Sequence, residues 1–117
     1  MLSHVTTSMP VNISVVSSLW GAVTDYGGGW KGLSWFGYFN TTYDPWIYHL
    51  QHGWMYPVGT TTSSIWLYTL DLGWLWTSDA VYPWMYRLSA GTWLYYLKDS
   101  SSPRWFFNYN TGLWESH

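Results

Sequence analysis

An all-β fold of tandem aromatic β-hairpins, an antiparallel meander or hairpin stack, is the class that three observations predict. The frame W-x-[YF]-x-[LY]-x-x-G, followed by W-x-[YW] directly or after one residue, recurs at Trp46–Tyr56, Trp66–Trp76 and Trp84–Tyr95, with a shortened copy at Trp105–Trp114. In each copy apolar side chains alternate on both sides of a glycine, the pattern of two antiparallel strands joined by a tight turn. No stretch carries a helical period. Four strands in about 40 residues is also a blade's length, so propeller-like four-stranded blades are the alternative. Two clear blades close a ring only by self-association.

The elements follow in order. Residues 1–18 are Ser/Thr/Val-rich, and the alternation of Val11, Ile13 and Val15 with Asn12 and Ser14 predicts one strand, a leader or a capping strand. Residues 19–117 form the Trp-rich hairpin domain. Its first hairpin is degenerate: Leu19–Val23 leads into a loop holding Gly27, Gly28 and Gly29, and Trp35–Phe39 returns. From Tyr43 the register is clear. Pro45, Trp46, Tyr48, Leu50 and Gly53 match Pro83, Trp84, Tyr86, Leu88 and Gly91; after one inserted residue, Trp54, Tyr56, Trp66 and Gly73 match Trp93, Tyr95, Trp105 and Gly112. The evident unit is therefore a pair of hairpins. Gly53 and Gly73 directly precede a Trp, which predicts three-residue loops with a left-handed glycine. Gly91 and Gly112 have one residue more, and a longer loop is expected to absorb it. Pro45, Pro83 and Pro103 stand at strand starts, where a missing N–H is tolerated.

Composition suits such thin units. Twelve Trp, eleven Tyr and four Phe make up 23% of the chain, and each ring buries about 150–250 Å². Charge is sparse: four basic residues against six acidic ones give a net of −2, and Lys31, Arg87, Lys98 and Arg104 are scattered. Nucleic acid, which needs a clustered basic surface, is not an expected partner. The absence of Cys excludes disulfide frameworks and thiolate metal sites. Met1–Pro10 lacks the basic and apolar regions of a signal peptide, and no transmembrane segment is expected. Strands of about five residues are short for a membrane barrel. The compartment stays open, with a lean toward the cell exterior or surface.

The first strands place Trp46-Tyr48-Leu50, Trp66-Tyr68-Leu70, Trp84-Tyr86-Leu88 and Trp105-Phe107-Tyr109 on one face, which is expected to be core; the opposite face holds His49, Thr69, Arg87 and Asn108. The second-strand rings Trp54, Tyr56, Trp74, Trp76, Trp93 and Tyr95 are the ones expected at hairpin seams, part core and part exposed. His49 and His52 are expected on opposite sides of a strand entering a turn, a structural pair and no metal site. The Asp residues sit in turns and connectors, where Asp binds backbone. Neither a nucleophile triad nor a phosphate-cradling loop is present. No enzyme and no cofactor are expected.

Gly91-Thr-Trp-Leu-Tyr-Tyr-Leu97 resembles the G-x-W-Y-Y-L repeats of choline-binding and glucan-binding cell-wall proteins, and the hairpin pattern extends the resemblance over residues 43–114. In that family successive hairpins stack and ligands sit on aromatic rings between neighbours. The resemblance implies ligand-binding roles for Trp93, Tyr95 and Tyr96, and for Trp54 and Tyr56. The chain differs from the family in its Trp-x-Tyr first strands. With Trp74 and Trp76 from the seams, these residues form the candidate site of a non-catalytic module for a surface glycan, a cell-wall polymer or a cationic headgroup. The alternative is a purely structural or adhesive surface repeat without a small-molecule ligand. The terminal hairpins are candidates for self-association.

Overall fold

The computed structural model describes residues 12–15, as backbone, and 19–117. Twelve strands follow one another: β1 (Asn12–Val15), β2 (Ala22–Gly27), β3 (Trp30–Leu33), β4 (Gly37–Asn40), β5 (Ile47–His49), β6 (Gly53–Thr61), β7 (Ser64–Thr69), β8 (Gly73–Thr77), β9 (Trp84–Arg87), β10 (Thr92–Tyr96), β11 (Trp105–Asn108) and β12 (Leu113–Ser116). Each pairs antiparallel with its chain neighbours in a single sheet ordered β1 to β12. The all-β meander of tandem hairpins is thus the observed fold. A propeller divides into separate blades, whereas pairing here is continuous across β6/β7 and β8/β9. Among the described residues no helix is long and apolar enough to cross a membrane.

Local turn chemistry sets the register. His49 pairs with Gly53 and Thr69 with Gly73, leaving three-residue loops that the glycines close with φ of 76° and 75°. Arg87 pairs with Thr92 and Asn108 with Leu113, so the extra residue lengthens the loop and the ladder stays regular. Pro45, Pro83 and Pro103 each stand just before a strand, all on cis peptide bonds. β6 is longer than the expected five residues. It pairs with β5 through Gly53–Met55 and with β7 from Tyr56 onward, and Pro57, with no N–H to offer, stands just past the handover.

The N-terminal region differs from expectation. The strand expected at Val11–Val15 is present as β1, while the rest of the 1–18 segment and any capping side chain lie outside the described residues. The triple glycine does turn the chain, but the strand that returns is β3, and Trp35–Phe39 instead belongs to a second hairpin, β3–β4. Leu33 pairs with Gly37 across a three-residue loop, as His49 does with Gly53. Trp30, Gly37 and Tyr38 therefore occupy the places of Trp46, Gly53 and Trp54. This is a fifth copy of the repeat.

A flat sheet would separate β5 and β11 by six strand spacings, about 29 Å. Yet Arg104, just before β11, lies 2.9 Å from His52 in the β5–β6 turn. The sheet coils, and its concave face closes into a core. That core is lined by Ile47, Met55, Leu67, Leu75, Met85, Leu94 and Phe106, one from each strand of β5–β11, all at 0–1% exposure. Each contributes about 1.5–3 kcal/mol by leaving water.

The expected face assignment is therefore inverted. Trp46, Trp66 and Trp84 are half-buried and Trp105 is exposed, on the convex side, while the residues between the rings face inward. The physical reason is curvature: from β5 to β10 the inside of the coil takes Ile47, Met55, Leu67, Leu75, Met85 and Leu94, while the wider outside accommodates the indoles that flank them.

Candidate functional site

Strand alternation puts most of the rings from β5 to β12 on the outer face, where they meet across strands. Beside each turn two rings stand directly opposite and pack edge to face: Tyr48 with Trp54 at 5.2 Å, Tyr68 with Trp74 at 5.2 Å, Tyr86 with Trp93 at 5.4 Å and Phe107 with Trp114 at 5.5 Å. A second tier adds Trp46–Tyr56 and Trp84–Tyr95, at 5.2 and 5.1 Å. Such pairs contribute about 0.5–1.5 kcal/mol each, which holds the rings in fixed orientations. Trp76 and Trp93, 6.0 Å apart, join adjacent hairpins into one surface.

Among the described residues three shallow aromatic grooves lie in that surface, and two of them are equivalent. The first, about 470 Å³, is walled by Tyr43, Trp46, Trp54 and Leu70. The third, about 430 Å³, is walled by Val81, Trp84, Trp93 and Tyr109, with Ala80 beside them. These four are the repeat equivalents of the first four, position by position. Between them a groove of about 470 Å³ is walled by Trp66, Trp76, Tyr86, Leu88 and Trp93. In each case a hairpin supplies two indoles and the next hairpin supplies the residue that opens its turn. Backbone bonds fix that residue: Leu88 N donates to Trp74 O and Tyr109 N to Trp93 O, both at 3.0 Å.

Of the residues singled out in the sequence, Trp54 is 45% exposed and Tyr56, Trp74, Trp76, Trp93 and Tyr95 are half-buried on this outer face. Tyr96 is the exception. At 1% exposure it faces inward against Phe106 and His52, with its hydroxyl donating to Ser100 O, and so lies off the shared surface. Trp46, Trp66 and Trp84, expected in the core, are groove walls instead. The signal that finds them is the aliphatic residue standing between rings from β5 to β10.

No charged side chain lines any of the three grooves. Acidic residues are engaged elsewhere: Asp25 with Lys31, Asp71 with Arg104, Glu115 with His117, and Asp79 with the Thr62 hydroxyl. Trp76 donates its indole N–H to Ser64 Oγ at 2.9 Å. Among the described residues no buried side-chain N or O lacks a partner, so the remaining outer indole N–H groups meet water. The face therefore offers flat apolar rings with donors at their rims.

Comparison with family models, curated proteins and solved structures finds no match. Function has to be read from the chain's own geometry.

The inner face carries a different arrangement. His49 and His52, expected on opposite sides, both point inward with ring centroids 4.6 Å apart. The guanidinium of Arg104 can only donate, so His52 Nδ1 accepts from it, and Nε2–H donates to the Tyr82 hydroxyl at 2.8 Å. His49 Nδ1 accepts from the Gln51 and His52 amides while Nε2–H donates to Phe36 O at 2.7 Å. Every ring nitrogen is committed. Burial holds His49 down at about 4; it holds His52 well below the ordinary range too, with the neighbouring His49 and Arg104 adding to the effect. Partial burial pushes the Asp71 carboxyl up, but Arg104 and the Thr69 hydroxyl outweigh it and keep it below its usual value. The cluster braces turns that are 30 and 52 residues apart in sequence.

Proposed function

We propose that this chain is a non-catalytic binding module that holds a linear, neutral surface glycan, such as a cell-wall polymer, on its outer aromatic face. The observation that carries the reading is an uncharged aromatic groove that occurs twice at equivalent repeat positions, with a third uncharged aromatic groove between the two. A sugar ring presents an apolar C–H face, which an indole covers, and hydroxyls at its edge, which an indole N–H reaches. Each groove is a weak site, and repetition along a polymer converts weak sites into avidity. Cationic headgroups are the other ligands that aromatic rings take, but no groove has a carboxylate among its walls. A purely structural repeat has little use for these rings, because the core is already complete without them and contiguous exposed apolar surface marks interaction sites. Self-association belongs to the same reading, since Trp105, Leu113 and Trp114 are exposed on the last hairpin; sedimentation showing only monomer at high concentration removes it.

Tryptophan fluorescence titrated with a panel of soluble polysaccharides and with choline tests the proposal. A saturable change with at least one neutral glycan, weakened in Trp54→Ala and Trp93→Ala, is the expected result. A flat response to every glycan leaves the structural repeat ahead, and a response to choline alone moves the assignment to a headgroup.

A further inference from the structure

The outer grooves offer ring faces and few polar atoms, so they suit a class of polymer but distinguish poorly between one hexose and another. Selectivity among sugars requires groups that hydrogen-bond particular hydroxyls, because a site built for a hydroxyl rejects the analogue that lacks it. A cavity beside the inner cluster has both elements. It measures about 300 Å³, at the small end of the roughly 300–1,000 Å³ range of ligand pockets.

Separate turns converge on this cavity. Trp35 comes from the β3–β4 turn, Tyr82 from the β8–β9 connection and Tyr96 from the end of β10; Gln51 stands in the β5–β6 turn, and Lys98 and Asp99 in the β10–β11 connection. The rings form an aromatic wall, with Trp35 and Tyr82 packed edge to face at 5.8 Å and Tyr82 and Tyr96 tilted at 6.3 Å. Lys98 Nζ lies 5.8 Å from the Tyr82 ring centroid. Asp99 sits at φ 70°, a left-handed conformation that Asp tolerates through its short polar side chain. Among the described residues none of the Gln51, Lys98 and Asp99 side chains hydrogen-bonds to another protein group, in contrast to the fully committed cluster just behind them. Their polar atoms are free to serve a ligand. Lys98 and Asp99 cancel in charge, which suits a neutral molecule.

We infer that this cavity is a selectivity pocket for one neutral hexose-sized sugar unit, held against Trp35 and Tyr82 with its hydroxyls bonded by Gln51, Lys98 and Asp99. The inference deepens the glycan reading, but it occupies its own surface and stands or falls separately. Sugar hydroxyls both donate and accept, and the three side chains supply both: Lys98 donates, Asp99 accepts and Gln51 does each.

The test follows the Trp35 indole N–H signal by NMR during titration with glucose, galactose, mannose, N-acetylglucosamine and, as a zwitterionic control, glycine betaine. One or two of the sugars should shift that signal saturably while betaine does not. The double variant Gln51→Ala/Lys98→Met, which keeps an aliphatic stem over Tyr82, should weaken this binding about tenfold, the loss of two ordinary hydrogen bonds. Asp99→Asn, which preserves the left-handed turn, should change which sugar is preferred. Thermal melts confirm that the variants fold. Equal response to all four sugars, response to betaine alone, or binding indifferent to the double variant overturns the inference. A polysaccharide that binds the outer face while no monosaccharide moves Trp35 refutes the pocket and leaves the grooves standing; the converse result refutes the grooves and leaves the pocket.

Discussion

Replacing Met85 by Ala should destabilise the protein more than replacing its neighbour Trp84, although tryptophan is far the larger residue. Met85 is fully buried on the concave face, opposite Leu94 on β10. Truncating such a side chain removes its transfer free energy and leaves a cavity, a loss of about 2–5 kcal/mol. Trp84 is half-buried on the convex face, where its loss removes two edge-to-face contacts, with Tyr95 at 5.1 Å and Tyr109 at 6.4 Å. Those contacts are worth about 0.5–1.5 kcal/mol each beyond area burial; a fully buried tryptophan costs about 3–5 kcal/mol on truncation, so a half-buried one that leaves no closed cavity costs roughly half of that. In a domain of this size each kcal/mol lowers Tm by around 4 °C. Urea unfolding followed by far-UV circular dichroism measures both variants without relying on tryptophan emission. If Trp84→Ala is the more damaging, the rings are the core after all and the inside-out assignment fails.

Acid should unfold the protein well before the carboxylates titrate. His49 and His52 are held neutral in the fold, with His49 at about 4, whereas in the unfolded chain they take up protons near their ordinary value of 6.5. The unfolded state therefore binds more protons between pH 6.5 and 4, and stability falls with pH across that window, by about 3 kcal/mol from His49 alone. Melting curves at stepped pH check this, and a flat profile above pH 4.5 contradicts it; His49→Phe should be less stable at neutrality but show a shallower slope. Gly73→Ala should cost about 1–2 kcal/mol although no atom obstructs its Cβ, because φ is 75° there; a Gly73→Asn variant that melts no higher than the alanine one argues against a backbone origin. Arg104→Met should unlatch the coil by leaving His52 and Asp71 without their partner, seen as faster hydrogen exchange at Gln51 and Tyr82, and unchanged exchange there means the brace is idle.

Much of the fold was readable because it is local. Loop lengths at Gly53, Gly73, Gly91 and Gly112 follow from turn chemistry that acts over a few residues, and all four took the expected form. Alternation, by contrast, divides a strand into two faces without saying which is wet. Ring size suggested that the Trp face was core, and only the curvature of the sheet reverses that choice. The fifth copy, Trp30–Asn40, was hidden because Lys31 and Gly32 stand where other copies carry an apolar residue and a ring. The inner cluster was beyond reach for another reason: His52, Tyr82 and Arg104 meet only after the sheet coils, and no spacing in the chain encodes that meeting. On the outer face, Trp54, Trp76 and Trp93 lie at the hairpin seams as the alternation predicts, while Trp46, Trp66 and Trp84 stand beside them instead of in the expected core.

We propose glycan binding for the convex row of indoles. Two-dimensional NMR of the indole N–H signals, assigned by single Trp→Phe variants and followed during titration with the polysaccharide that responds in the fluorescence panel, tests it most directly. Signals of Trp46, Trp54, Trp66, Trp84 and Trp93 should move together and saturably, while Trp20, buried in the core, stays fixed. Movement of Trp20 without the outer set, or no movement of the outer set at saturating polymer, rules the glycan surface out.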